Sequence, residues 1–288
     1  MVPTRRIALS LTAVAIAACE RSAPPPQVET TAVVAVDSST EAPRSWSGEW
    51  PAELGQVLFV PSDTDNTAIV VYPDAAPAAD STRFTLFTSG GEAALARVTV
   101  RGTDTLECGG APVVNLSGGA FGTWSVGLAG GARVLRSDSL ESLAPRDSAQ
   151  VVASLARMAS TITARQETRF NGLPFSVARA RRFTVGNTRI VTAHLVRKLP
   201  QEASPLEEHT FVVAERPLSS DSLLLRYHQR SDGTEETAEH FEIIAAIGTE
   251  KATLLLLARD NATGTRYQIL ERASTGAWRV RWTRPLNC

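Results

Sequence analysis

Lysine is nearly missing from this chain. Lys198 and Lys251 are the only two, so arginine carries almost all of the positive charge. An arginine-rich face is therefore ordinary here and does not by itself point to an anionic partner. With 29 basic and 30 acidic residues the formal net charge is −1, which argues against the basic surface that a nucleic-acid backbone requires. Cysteine and histidine are also scarce, at three and four residues. No serine lies in a G-x-S-x-G elbow, no H-E-x-x-H is present, and neither lysine follows a phosphate-cradling glycine run. The glycine pairs at 90–91, 109–110, 118–119 and 130–131 lack the strand-then-helix setting of a dinucleotide site and read as turns. No repeat suggests a propeller or solenoid.

What is present begins with an address. Arg5 and Arg6 are followed by an apolar run from Ile7 to Ala17 and then by small residues, the layout of a secretory signal. The run is about eleven residues, against the roughly twenty needed to span a bilayer. Ile16-Ala17-Ala18-Cys19 resembles the lipobox of bacterial lipoproteins. That resemblance implies a diacylglyceryl group on the Cys19 thiol, cleavage before Cys19 and acylation of the new amino group. Several acyl chains, at about 0.8 kcal/mol per buried methylene, hold a protein where one chain is marginal. Glu20 after the cysteine, by similarity to the sorting rule of Gram-negative lipoproteins, favours the outer membrane. Thr4-Arg5-Arg6 also resembles part of a twin-arginine signal, although Ala8 stands where that motif prefers a bulky apolar residue.

Residues 1–18 are thus expected to be a signal peptide and 19–45 a tether. Pro24-Pro25-Pro26 and the small polar residues after them cannot pack a core. Such a segment spans about 5–6 Å times the square root of its length. Beyond it, Cys108 and Cys288 remain, and in an oxidising compartment they are expected to form one disulfide. So long a closed loop would restrict the unfolded chain by about 4 to 5 kcal/mol in the entropy account. Two free buried thiols are the alternative.

The body is expected to be mainly β with an α+β tendency. Residues 46–135 read as an antiparallel β-sandwich or small barrel, with short strands near 57–60, 68–72, 83–88, 94–101 and 123–128. One amphipathic helix follows. Pro145 and Asp147 suit its first turn, and Val151, Val152, Leu155, Met158, Ala159 and Ile162 share a face. From 175 to the end, within a second unit of 145–288, the spacing predicts an antiparallel β-meander. Its strands lie near 175–185, 189–197, 208–214, 222–229, 238–247, 252–258, 265–272 and 277–283. Leu254 to Leu257 is apolar on both faces and reads as a central strand.

The histidines His194, His209, His228 and His240 all fall in these strands. A hairpin turning at Asp232-Gly233-Thr234 would set His228 opposite His240 and Arg226 opposite Glu242. That face could ligate a divalent metal or titrate as a pair, or simply be a solvated sheet face. His209 alternates with Phe211 and Val213 and reads as a hydrogen-bonded histidine of the core or its boundary. Arg266, Arg279 and Arg281 could form a strip for anionic glycans or lipids. Trp278 and Trp282 read as core.

These signals favour a membrane-anchored extracytoplasmic lipoprotein, a non-enzymatic module that binds an envelope protein, glycan or lipid. No cofactor and no nucleic-acid partner is implied. The alternative is a lipid-anchored metal-dependent hydrolase using a histidine pair on the C-terminal sheet.

Overall fold

The computed structural model describes residues 48–286 apart from 60–66, 72–81, 89, 105–110, 119–123, 164–168, 201–203 and 221. Cys19, Cys108, Cys288, Trp46 and the tether lie outside the described residues. The fold is mainly β, its sheets antiparallel, with a single α-helix among the described residues.

Six strands close into an antiparallel barrel. They are β1 (Gln56–Phe59), β2 (Thr67–Val71), β3 (Arg83–Thr88), β4 (Gly91–Asp104), β5 (Ala111–Gly118) and β6 (Val126–Ala129), and neighbours run β1-β2-β5-β4-β3-β6. Leu58, Phe84, Leu86, Ala96, Val98, Val114 and Leu116 fill the barrel. Its interior narrows at Gly127, where a Cβ would come 2.9 Å from Leu86 Cδ2 and 3.2 Å from Leu58 Cβ. Strand β5 has no counterpart among the sequence expectations, since Pro112 and the flanking glycines disguise it.

Two short strands leave the barrel, β7 (Arg133–Val134) and β8 (Asp138–Ser139), and then α1 spans Pro145–Thr163. Leu155 and Ala159 are fully buried on the predicted helix face, with Val151, Val152 and Ile162 partly buried beside them. The remaining strands are β9 (Ser176–Val185), β10 (Thr188–Leu199), β11 (Leu206–Pro217), β12 (Leu224–Thr234), β13 (His240–Gly248), β14 (Thr253–Asn261), β15 (Gly264–Arg272) and β16 (Trp278–Leu286).

They do not form one meander. They divide into a helix-side sheet ordered β12-β11-β10-β9-β8 and a barrel-side sheet ordered β16-β15-β14-β13-β7. β12 pairs with β11 and β13 with β14 and β7, so the expected β12–β13 hairpin does not form. The chain instead crosses between sheets at this point. The reason is local: Thr237 Oγ1 accepts the Thr234 amide and meets the Thr234 hydroxyl. A bend of this kind turns the chain out of the sheet plane.

The two sheets pack face to face. Phe183, Ile190, Phe211, Val213 and Tyr227 meet Phe241, Leu255, Leu257, Leu270, Trp278 and Val280. The other face of the helix-side sheet is covered by α1. The other face of the barrel-side sheet, with Leu254, Leu256, Ile269 and Trp282, meets Val57, Phe59, Val126 and Leu128 of the barrel. β14 is therefore apolar on both sides, as Leu254 to Leu257 suggested. Phe59 stacks on Tyr267 at 4.4 Å, and Trp50 meets Trp282 edge-on at 4.7 Å. Both C-terminal tryptophans are buried, as expected.

Burial of apolar area, at about 25 cal/mol per Å², drives this stacking, but one polar clamp also crosses it. Glu215 of β11 is 2 % exposed. It accepts two hydrogen bonds from Arg272, at 2.7 and 2.9 Å, and one from Trp278 Nε1 at 2.8 Å, both donors in the opposite sheet. Glu215→Ala strands both donors and is expected to cost about 3 kcal/mol in urea unfolding. Glu271→Ala, which removes a more exposed partner of Arg279, is expected to cost under about 1 kcal/mol. Equal effects would show that Glu215 does not clamp the sheets.

Candidate functional site

Alternation along β11 turns Glu207, His209, Phe211, Val213 and Glu215 toward the opposite sheet. The β10–β11 register places Val196 opposite His209 and His194 opposite Phe211. His194 and His209 are therefore diagonal neighbours on one face. His194 Nε2 lies 2.7 Å from His209 Nδ1, and His209 Nε2 lies 2.8 Å from Glu207 Oε2. The Lys198 ammonium holds the other Glu207 oxygen.

His240 completes the group from the other sheet. It opens β13 directly after the crossing, where β7 has not yet joined, since β7 pairs with β13 only at Ile247 and Gly248. Its ring lies 4.3 Å from that of His209 and 6.2 Å from that of His194. One ligand atom from each of Glu207, His209 and His240 falls within 4.8 Å of the other two. Phe241, next in the chain, packs on Phe211 at 5.8 Å and His194 at 5.9 Å and closes the apolar side.

Of the four residues placed together by the sequence, only His240 joins this cluster. His228 lies opposite Val212, on the helix-side face of its sheet rather than between the sheets. Arg226 approaches Glu215 at 3.8 Å, and Glu242 pairs with Arg179 of β9. His209 is a buried, hydrogen-bonded histidine, as its alternation with Phe211 implied. Glu207 and His194 carried no expectation of a site. The available signal was the β10–β11 hairpin itself, whose Leu199 to Leu206 link sets Lys198 against Glu207 and brings both histidines to one face.

The arginine strip is paired with carboxylates. Arg279 and Arg281 approach Glu271 at 3.0 and 3.9 Å, and Arg266 approaches Glu239 at 3.8 Å. Buried charge also lies on the helix-side face. Glu208 joins Arg197 at 2.9 Å and Arg230 at 3.0 Å, with Arg197 stacked on Phe175. A pocket between the sheets, lined by Arg181, Phe183, Thr192 and Ile243 among others, has room for about one water.

Comparison with known protein families, with curated proteins and with solved structures finds no match to this chain. The chemistry of the cluster must speak for itself. Burial pushes His194 down to about 3, aided by repulsion from His209 and His240. Burial also lowers His209, against the pull of its hydrogen bond to Glu207. For Glu207, burial acts upward, but hydrogen bonds from Lys198 and His209 outweigh it and hold the carboxyl low. Neutral imidazoles beside a carboxylate can relay a proton or ligate a metal. As it stands, His194 Nε2–H donates to His209 Nδ1 and His209 Nε2–H donates to Glu207, which satisfies each contact with one proton.

The depressed histidines give a pH dependence. Unfolded imidazole titrates near 6.5, so below that pH the unfolded chain binds protons that the folded chain refuses. Stability is full above about pH 6.5 and falls toward pH 3, by about 1.4 kcal/mol per pH unit from His194. Between pH 6.5 and 5, urea unfolding should lose about 2 kcal/mol through this residue. His194→Gln should flatten that slope; an unchanged slope would assign the dependence elsewhere.

Proposed function

We propose that the chain is a lipid-anchored extracytoplasmic protein of a bacterial envelope, whose folded body binds an envelope component rather than converting a substrate. The observation that carries this reading is Ile16-Ala17-Ala18-Cys19 at the end of an apolar run, followed by a proline-rich segment. Chain anchoring of this kind fixes where the body works and leaves it free to reach outward on the tether. In a Gram-negative cell, Glu20 favours the periplasmic face of the outer membrane. The ligand fitting this setting is an envelope protein, glycan or lipid. The Cys108–Cys288 disulfide belongs to the same proposal, since it requires an oxidising compartment.

A second reading, a lipid-anchored metal-dependent hydrolase, draws support from one observation. Two imidazoles and a carboxylate converge at Glu207, His209 and His240, a donor set that three-ligand catalytic zinc sites use. The pair is then His209 with His240, not His228 with His240.

The mass of protein extracted from membranes tests the first reading. The expected species begins at Cys19, carries acyl chains, and without reductant is lighter by two hydrogens. Cys19→Ser should release the protein from the membrane fraction. Retention of residues 1–18, or no acylation at Cys19, would refute the anchor. Cross-linking on intact cells should then capture a partner through the acylated form and lose it with Cys19→Ser.

A further inference from the structure

We propose that Glu207, His209 and His240 form a Zn2+ site that fastens the two sheets together at the open end of the sandwich, with His194 behind it as the outer hydrogen-bond partner. The site does not depend on the lipid anchor, and its failure would leave that reading untouched.

The donor set selects the ion. Two imidazoles and one carboxylate suit a borderline divalent ion, whereas Ca2+ and Mg2+ prefer oxygen alone. Zinc binds such atoms at about 2.0–2.2 Å in tetrahedral array, so neighbouring ligands sit roughly 3.3–3.5 Å apart. The three donors already lie within 4.8 Å of one another. His209 and Glu207, at 2.8 Å, need to part by only about half an ångström. The ion takes the place of the proton they now share.

The outer contact is in position. A zinc-bound imidazole donates its second N–H to a neighbour, which fixes the ring and its tautomer. With zinc on His209 Nε2, the proton between the two rings passes from His194 Nε2 to His209 Nδ1, 2.7 Å away. The proton displaced from His209 Nε2 is balanced by one taken up at His194 Nδ1, so His194 Nε2 becomes the acceptor. His194 is 7 % exposed, and Phe241, 5.9 Å from its ring, packs against it and holds it in place.

The cluster can also open. Glu207 and His209 are buried, whereas His240 is partly exposed at the head of β13, giving the ion a way in. Lys198, which now occupies one Glu207 oxygen, has a side chain 62 % exposed and can swing into solvent. Three protein ligands leave a fourth position for water. His240 comes from the barrel-side sheet and the other two ligands from the helix-side sheet, so ion binding adds a bond between sheets to the ring contacts and the Arg179–Glu242 pair already there.

The test uses the full chain, stripped with EDTA, dialysed, and titrated with Zn2+ by calorimetry. One Zn2+ per chain is expected, with a raised melting temperature. Outer partners alone are worth about 10- to 100-fold in affinity. His240→Ala and Glu207→Gln are therefore expected to weaken binding by at least about 100-fold and abolish the melting shift. Co2+ should give d–d bands in the wild type that His240→Ala loses. His228→Ala, on the other face of its sheet, should bind as the wild type does. His240 is partly exposed, so its replacement leaves the fold intact by circular dichroism. No stoichiometric Zn2+ uptake, or wild-type affinity in His240→Ala, would overturn the site.

Discussion

The apposition of two five-stranded sheets sets the terms for everything else in this molecule. β11, the second strand of the helix-side sheet, has Phe211 and Val213 locked into the shared core. Period-two geometry then gives Glu207, His209 and Glu215 no choice of side. To bury the two apolar residues, the strand must also carry two carboxylates and an imidazole inward at its ends. Each must find partners in the facing sheet or on its own, because an unpaired buried charge is far more costly than an exposed one.

The two ends meet this demand differently. Glu215 is met by a guanidinium and an indole N–H, both fixed donors that cannot lose their protons. That end is closed chemistry. At the other end every contact around His209 involves a nitrogen that can give or take a proton, and a side chain that reaches solvent on either flank. The same strand thus carries a rigid polar contact at one end and an exchangeable one at the other.

Most strands were legible because their signal is local. The Trp278, Val280 and Trp282 alternation and the doubly apolar Leu254–Leu257 run each declare one strand and its faces. The helix declared itself through Pro145, Asp147 and the Leu155 stripe. What failed was the link at Asp232-Gly233. Its residues suit a tight turn in sequence, but Asp232 and Gly233 continue β12, paired with Glu208 and Glu207, and the chain turns only at residues 235–238 before departing for the other sheet. Here Gly233 sits against Thr237, where a Cβ would meet Oγ1 at 2.3 Å. Reading that as a hairpin paired His228 with His240, when His240 belongs with His209. The cluster depends on contacts between sheets, and no periodicity within one strand encodes which strand lies across from it.

The Trp50–Trp282 contact bears on how the molecule comes into being. Trp50 stands near the first described residue and Trp282 in the final strand, and the barrel wall shares its core with that strand's sheet. The outer wall of the barrel is completed only when β16, far along the chain, docks Trp282 against it. Its contacts are therefore long-range in sequence, which slows folding. A chain cut short before β16 would leave Trp50 at the barrel's edge without its ring partner.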